Sequence, residues 1–202
     1  RVQYCAMLPR KATTKAVSTL LTRLYCHPSV ITRNLEKGRV NYQITSMRAM
    51  RRAITRVAQR RPLSTVRVDR VEKHIAVVTL DRPEKLNALD MEAFRGVRDA
   101  ALELRDDASV RCVVLRGAGR AFCAGLDVKG VMHPLRAKAN CAELLERADG
   151  EAANLAQAVS YLWRGVPCPV VAAVHGACFG GGLQIALGAD VRVAAEDAKL
   201  SV

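Results

Sequence analysis

The chain has 202 residues, half of them hydrophobic, and carries 32 Lys and Arg against 19 Asp and Glu, for a formal net charge of +13. That length buries one core and leaves room for an extension. The charge is confined to one end: residues 1–66 hold fourteen basic residues against the single acid Glu36, whereas 67–202 hold eighteen of each sign. The globular part is therefore electrically neutral, which argues against a nucleic-acid-binding domain despite the overall +13.

Residues 1–46 show no clear periodicity and are expected to form no stable fold. From Met47 the sequence reads M-R-A-M-R-R-A-I-T-R-V-A-Q-R-R-P-L-S-T. Arg48, Arg52, Arg56 and Arg60 recur every fourth residue, and Met50, Ile54 and Val57 fall at helical spacing on another face. An acid-free, arginine-rich amphipathic segment of this kind, over 47–66, resembles a mitochondrial presequence; the other reading is a basic arm for nucleic acid or a partner. Met47 is a plausible start of translation. The expected division is thus an unfolded extension over 1–66 and a folded core over 67–202.

Within the core, Ile75–Leu80 (I-A-V-V-T-L) is a strand that stops at Asp81-Arg82-Pro83. Asp90 caps a helix over about 91–105, with Phe94, Val97, Ala101 and Leu104 at helical spacing. A second buried strand at 112–115 leads into a loop over 117–127, G-A-G-R-A-F-C-A-G-L-D. One long helical region is expected over 138–163, ended by Pro167 and Pro169 before a third strand, Val170–Val174. A helix at 182–187 and a fourth strand at 191–194 complete the pattern. Alternating strands and helices predict an α/β layered fold with crossover connections.

Gly117-Ala118-Gly119 after a strand imitates a dinucleotide fingerprint, but Phe122 stands where the third glycine belongs, and no strand-end acid follows at the right distance. Seven cysteines form no C-x-x-C pair, and their odd number fits reduced thiols better than a disulfide framework or a metal site.

Residues 165–190 contain no charged side chain before Asp190. Pro167, Pro169, His175, Gln184 and the glycines argue against a membrane span. Val170–Val174 is followed by a turn at His175-Gly176 and by three consecutive glycines, Gly180, Gly181 and Gly182, opening a helix. Glycines at a strand-to-helix junction allow close backbone approach and leave the first helical N–H groups free; tight packing alone is the competing explanation. If the strands before the two glycine loops are neighbours, amides from Cys123-Ala124-Gly125-Leu126-Asp127 and from Gly180-Gly181-Gly182 converge. Two converging amides form an oxyanion hole, which stabilises charge developing on a carbonyl oxygen.

Three ordered motifs carry a family resemblance. P-V-V-A-A-V-H-G-A-C-F-G-G-G-L-Q-I-A-L-G-A-D-V resembles the signature of the enoyl-CoA hydratase/isomerase (crotonase) family, A-F-C-A-G-L-D-V-K its other hallmark loop, and L-D-R-P-E-K-L-N-A-L its first strand and turn. The resemblance covers about 68–202 and implies a crotonase-like spiral of ββα units, incomplete before its C-terminal helical region. It implies an acyl-CoA thioester substrate, with coenzyme A arriving as part of that substrate and no separate cofactor or metal. The thioester oxygen would meet the N–H groups of Leu126 and Gly181. Ala88, Ala124, Gly125, Leu126, Asp127, Val128, Gly180 and Gly181 would line the substrate site. Homotrimers or hexamers, fatty-acid or branched-chain acyl-CoA breakdown, and the mitochondrial matrix (with the peroxisome as alternative) follow as family expectations.

Gln184 departs from the pattern of the family's hydratases, which place a glutamate there. An amide can orient a water or a substrate but cannot exchange protons as a carboxylate does. The second hydratase glutamate would fall about two residues past Val202, and the 202 residues alone are expected to be inactive. Double-bond isomerisation needs one well-placed carboxylate and fits Gln184 better, with hydration as the alternative. RNA binding through the basic extension, or a non-catalytic homologue, are the readings from other classes. His175 and Asp127 are read as structural, by hydrogen bonding and by loop stabilisation or helix capping.

Overall fold

The structure, a computed structural model, describes residues 65–202 and three short strands before them: β1 (Tyr4–Leu8), β2 (Asn34–Glu36) and β3 (Arg39–Asn41). The presequence-like residues 47–64 lie outside the described residues. In the segment expected to lack a fold, β2 and β3 pair antiparallel, and β1 runs parallel to a core strand. An exposed sheet edge accepts any extended backbone that reaches it, which requires no periodicity in the added strand.

The core opens with the antiparallel pair β4 (Val66–Glu72) and β5 (Ile75–Leu80). The helix α1 (Met91–Asp106) follows, its first turn capped by the Asp90 carboxylate, which accepts from the Ala93 N–H at 2.8 Å. Its buried face, Phe94, Val97, Ala101 and Leu104 with Ala93 and Ala100, has the spacing the sequence predicts. Next come β6 (Cys112–Gly117), α2 (Val128–Val131), α3 (Ala137–Leu145), α4 (Leu155–Tyr161) and a 3-10 turn, Leu162–Gly165. The chain then forms β7 (Val170–Val174), β8 (Ala177–Phe179), α5 (Gly181–Gly188), β9 (Val191–Ala195) and β10 (Lys199–Ser201).

The main sheet has the order β1-β9-β7-β6-β5-β4, parallel except for the β4–β5 pair. Each crossover steps one strand further along, the connectivity of a spiral of strand and helix units. Helices α1, α4 and α5 cover one face, burying Val78, Leu80, Val113, Leu115, Val170, Ala172 and Val174 with Trp163. The indole N–H of Trp163, wholly buried, donates to the Val159 carbonyl at 2.8 Å, so a large side chain enters the core without an orphaned donor. A second small sheet pairs β8 with β10.

Two expectations change. The single helix over 138–163 is two helices, because a turn at Asp149-Gly150 interrupts it, with Gly150 at φ +83°. Asn154 and Gln157 then form a reciprocal capping box that starts α4 afresh. Residues 175–180, read as turn and loop, contain β8, which needs β10 as its partner and so carries no local signal of its own.

Candidate active site

β6 and β7 are hydrogen-bonded parallel neighbours, Val113 opposite Val170 through Arg116 opposite Ala173. The loops beyond them therefore leave the sheet side by side. They continue to pair: Phe122 N–H donates to His175 O at 2.8 Å, Cys123 N–H to Ala177 O at 3.0 Å, and Phe179 N–H to Cys123 O at 2.9 Å. Phe122 and Cys123 are wholly buried, so this zipper is anchored in the core.

Its end brings two glycine turns into backbone contact. Gly125 has φ +91° and Gly180 has φ +49°, both in the left-handed region that side chains disfavour. A Cβ on Gly125 would lie 3.0 Å from the Phe179 carbonyl oxygen, and one on Gly180 would lie 4.0 Å from Gly125 Cα. Each glycine is followed by the amide of interest. Leu126 lies in a parallel bridge with Leu89, whose N–H donates to Gly125 O at 2.7 Å and whose carbonyl accepts from Asp127 N–H at 2.9 Å. Such a bridge spends the flanking groups and turns the N–H of residue 126 to the opposite edge. Gly181 opens α5 with no side-chain cap at Gly180. Among the described residues, neither the Leu126 N–H nor the Gly181 N–H has an acceptor. Amides without an acceptor at a helix start and on an adjoining turn can donate to an external oxygen.

Gln184 sits three residues beyond Gly181, hence on the same face of α5, and is exposed. No residue of α5 carries a carboxylate. The rim is apolar: Leu126 and Val128 are 41% and 60% exposed. Ala88 and Ala124 contribute backbone, Ala88 O accepting from Arg82 and Ala124 N–H donating to Leu86 O at 3.0 Å. Asp127, named among the candidate substrate contacts, uses its carboxylate internally. It accepts from Gly130 N–H at 3.1 Å, capping α2, and pairs with Arg82 at 2.8 Å. The Gly130 N–H first, and the Arg82 guanidinium after it, hold this carboxyl below the usual carboxylate range. His175 lies 3.1 Å, through Nε2, from the Gly119 carbonyl, a structural hydrogen bond. Cys123 and Cys178, paired behind the glycine turns, are pushed up to about 11 and about 12 by burial, so both remain neutral thiols rather than nucleophiles.

The turn after β5 supplies residues that the sequence motif contained but to which no role was attached. Asn87 is 2% exposed at φ +58°, accepts from Arg82 N–H at 2.9 Å, and donates to Ala118 O and Ala121 O at 2.9 and 2.8 Å. It ties the first motif to the second. The signal was its setting, an amide in an otherwise apolar L-N-A-L, since a buried Asn must find partners.

A profile described as "Enoyl-CoA hydratase/isomerase" matches residues 70–202. The chain belongs to the enoyl-CoA hydratase/isomerase family. Among its curated relatives is the (E)-benzylidenesuccinyl-CoA hydratase of Thauera aromatica, 35% identical over 133 residues that cover 65% of this chain and 48% of that protein. The mitochondrial Delta(3,5)-Delta(2,4)-dienoyl-CoA isomerase of Mus musculus is 30% identical over 144 residues, 66% of this chain and 41% of that one. The crystal structure of an enoyl-CoA hydratase/isomerase from Xanthobacter autotrophicus Py2 superposes with a TM-score of 0.58 at 31% identity, covering 69% of this chain and 49% of that one. The fold is that of the family's crotonase-type members, and the chain spans about half the length of the curated relatives it matches.

Proposed function

We propose that the protein acts on acyl-CoA thioesters, stabilising an enolate with the backbone N–H groups of Leu126 and Gly181, and that it shifts a carbon–carbon double bond rather than adding water. The observation that carries the first part is the contact between the Gly125 and Gly180 turns, with an unengaged amide directly after each. A thioester oxygen seated there accepts two hydrogen bonds. As a proton leaves the α-carbon, negative charge builds on that oxygen and both bonds strengthen. Losing one such donor typically costs about 3 kcal/mol of transition-state stabilisation.

Gln184 supports the second part. Hydration requires a group that takes a proton from water while another delivers one to carbon, and a carboxamide does neither. It can donate to an oxygen or orient the acyl chain beside α5. Isomerisation removes a proton from one carbon and returns it two carbons away, a task for one carboxylate. The names of the relatives, one hydratase and one isomerase, both acting on CoA thioesters, agree with the substrate class and leave the reaction to experiment. A mitochondrial matrix location is supported by the arginine periodicity of 47–66, and assembly into trimers by family membership. The test is to supply the protein at its full natural length with 2-enoyl-CoA and 3-enoyl-CoA. Conversion of the 3-enoyl to the 2-enoyl form, with slow hydration of the latter, is expected. Rapid hydration without any shift of the double bond would overturn the isomerase reading.

A further inference from the structure

Arg82 stands where the turn after β5, the cap of α1 and the Leu126 loop meet. Its Nη1 lies 2.8 Å from Asp127 Oδ2 and 3.2 Å from Asp90 Oδ2, and donates to the Ala88 carbonyl at 3.1 Å. The side chain is 19% exposed, and the two carboxylates 23% and 12%, so the cluster is partly shielded from solvent. Ala88 and Asp90 flank Leu89, and Asp127 follows Leu126. Arg82 thus fastens both partners of the Leu89–Leu126 bridge, from the outside, with one cation. Without it, two ionised carboxylates face each other across that bridge, and their repulsion acts to open it.

We infer that Arg82 is a positioning residue that sets the direction of the Leu126 N–H through the Asp90–Arg82–Asp127 cluster. The inference rests on the oxyanion reading above. A surface ion pair of ordinary kind would influence stability alone; this one is joined to the donor by a single peptide unit. A displacement well under 1 Å would weaken a hydrogen bond to developing charge while leaving the bulk of substrate binding unchanged.

The experiment measures the thioester C=O stretch of a bound saturated acyl-CoA, by Raman or infrared difference spectroscopy, together with kcat and KM. It uses the full-length protein, Arg82→Met and Arg82→Lys. In wild type, binding should shift the band to lower frequency. In Arg82→Met most of that shift should disappear, with kcat lower by at least about tenfold and KM within about threefold. Arg82→Lys keeps the charge but not the fork, and should recover part of both. A lower Tm with band and kcat unchanged would overturn the inference. If Arg82→Met does not fold, Asp127→Asn keeps an acceptor for Gly130 N–H while removing the ion pair without leaving two facing carboxylates, and smaller losses of the same sign are expected; an unaltered band there also overturns it. Absence of any band shift in wild type would instead defeat the oxyanion reading, and this inference with it.

Discussion

Replacing Gly125 with alanine tests the geometry on which the site depends. Gly125 has φ +91°, and an added Cβ would sit 3.0 Å from the Phe179 carbonyl oxygen. Gly150 is a natural control, because it has φ +83° and nothing within 4 Å of the same position. Left-handed backbone costs alanine about 1–2 kcal/mol, offset by about 0.4–1 kcal/mol from the stiffer unfolded chain. Gly150→Ala should therefore destabilise by no more than about 1.6 kcal/mol. Gly125→Ala adds a contact with backbone that is itself bonded into the Cys123–Phe179 zipper and cannot swing aside. Its total should reach about 2–4 kcal/mol, as the two turns are forced apart. The Leu126 and Gly181 amides then separate, and kcat should fall by about a hundredfold. Urea unfolding of both variants and turnover of 3-enoyl-CoA would measure the two effects. Equal stability losses for Gly125→Ala and Gly150→Ala, with turnover intact, would refute the claim that close contact of the turns builds the site.

Other consequences are equally open to measurement. Gln184→Glu places a titratable group one helical turn beyond Gly181, and hydration of 2-enoyl-CoA should rise about tenfold or more relative to isomerisation; an unchanged ratio would count against the role given to this position. Asn87→Ala removes three hydrogen bonds from a buried amide, stranding Arg82 N–H and the carbonyls of Ala118 and Ala121, and should cost about 2–4 kcal/mol by denaturant unfolding. The Asp127 carboxyl is depressed in the folded protein, so its stabilising contribution is complete above the unfolded carboxyl range and is lost as pH falls through the folded value. The stability difference between wild type and Asp127→Asn should accordingly be flat from about pH 8 to about pH 5 and shrink below about pH 4. A difference that instead faded on the alkaline side would contradict the assigned ion pair.

Much of this protein is legible in contiguous residues. I-A-V-V-T-L, the Asp90-capped helix and V-V-A-A-V carry their own periodicity and stop signals, and they lie in the structure as the sequence predicts. The glycines at 125 and 180 declare backbone that other residues avoid, which is why the two turns stand out in the sequence alone. Gln184 likewise shows by its side chain alone that this position holds an amide and not a proton-exchanging carboxylate.

Tertiary structure decided what depends on partners far along the chain. The interruption of 138–163 rests on Gly150 at positive φ and on the Asn154–Gln157 box, whose reciprocal hydrogen bonds form only once the chain has turned. β8 exists because β10, 22 residues later, pairs with it. The structural role that the sequence suggests for Asp127 acquires its ion-pair partner only in the fold, because Arg82 stands some 45 residues earlier in the chain. Local sequence specifies backbone conformation, because sterics and capping act within a few residues. Which donor stays free, and which carboxylate is already occupied, follows only from how distant segments pack, since a hydrogen bond or ion pair depends on proximity in space rather than in the chain.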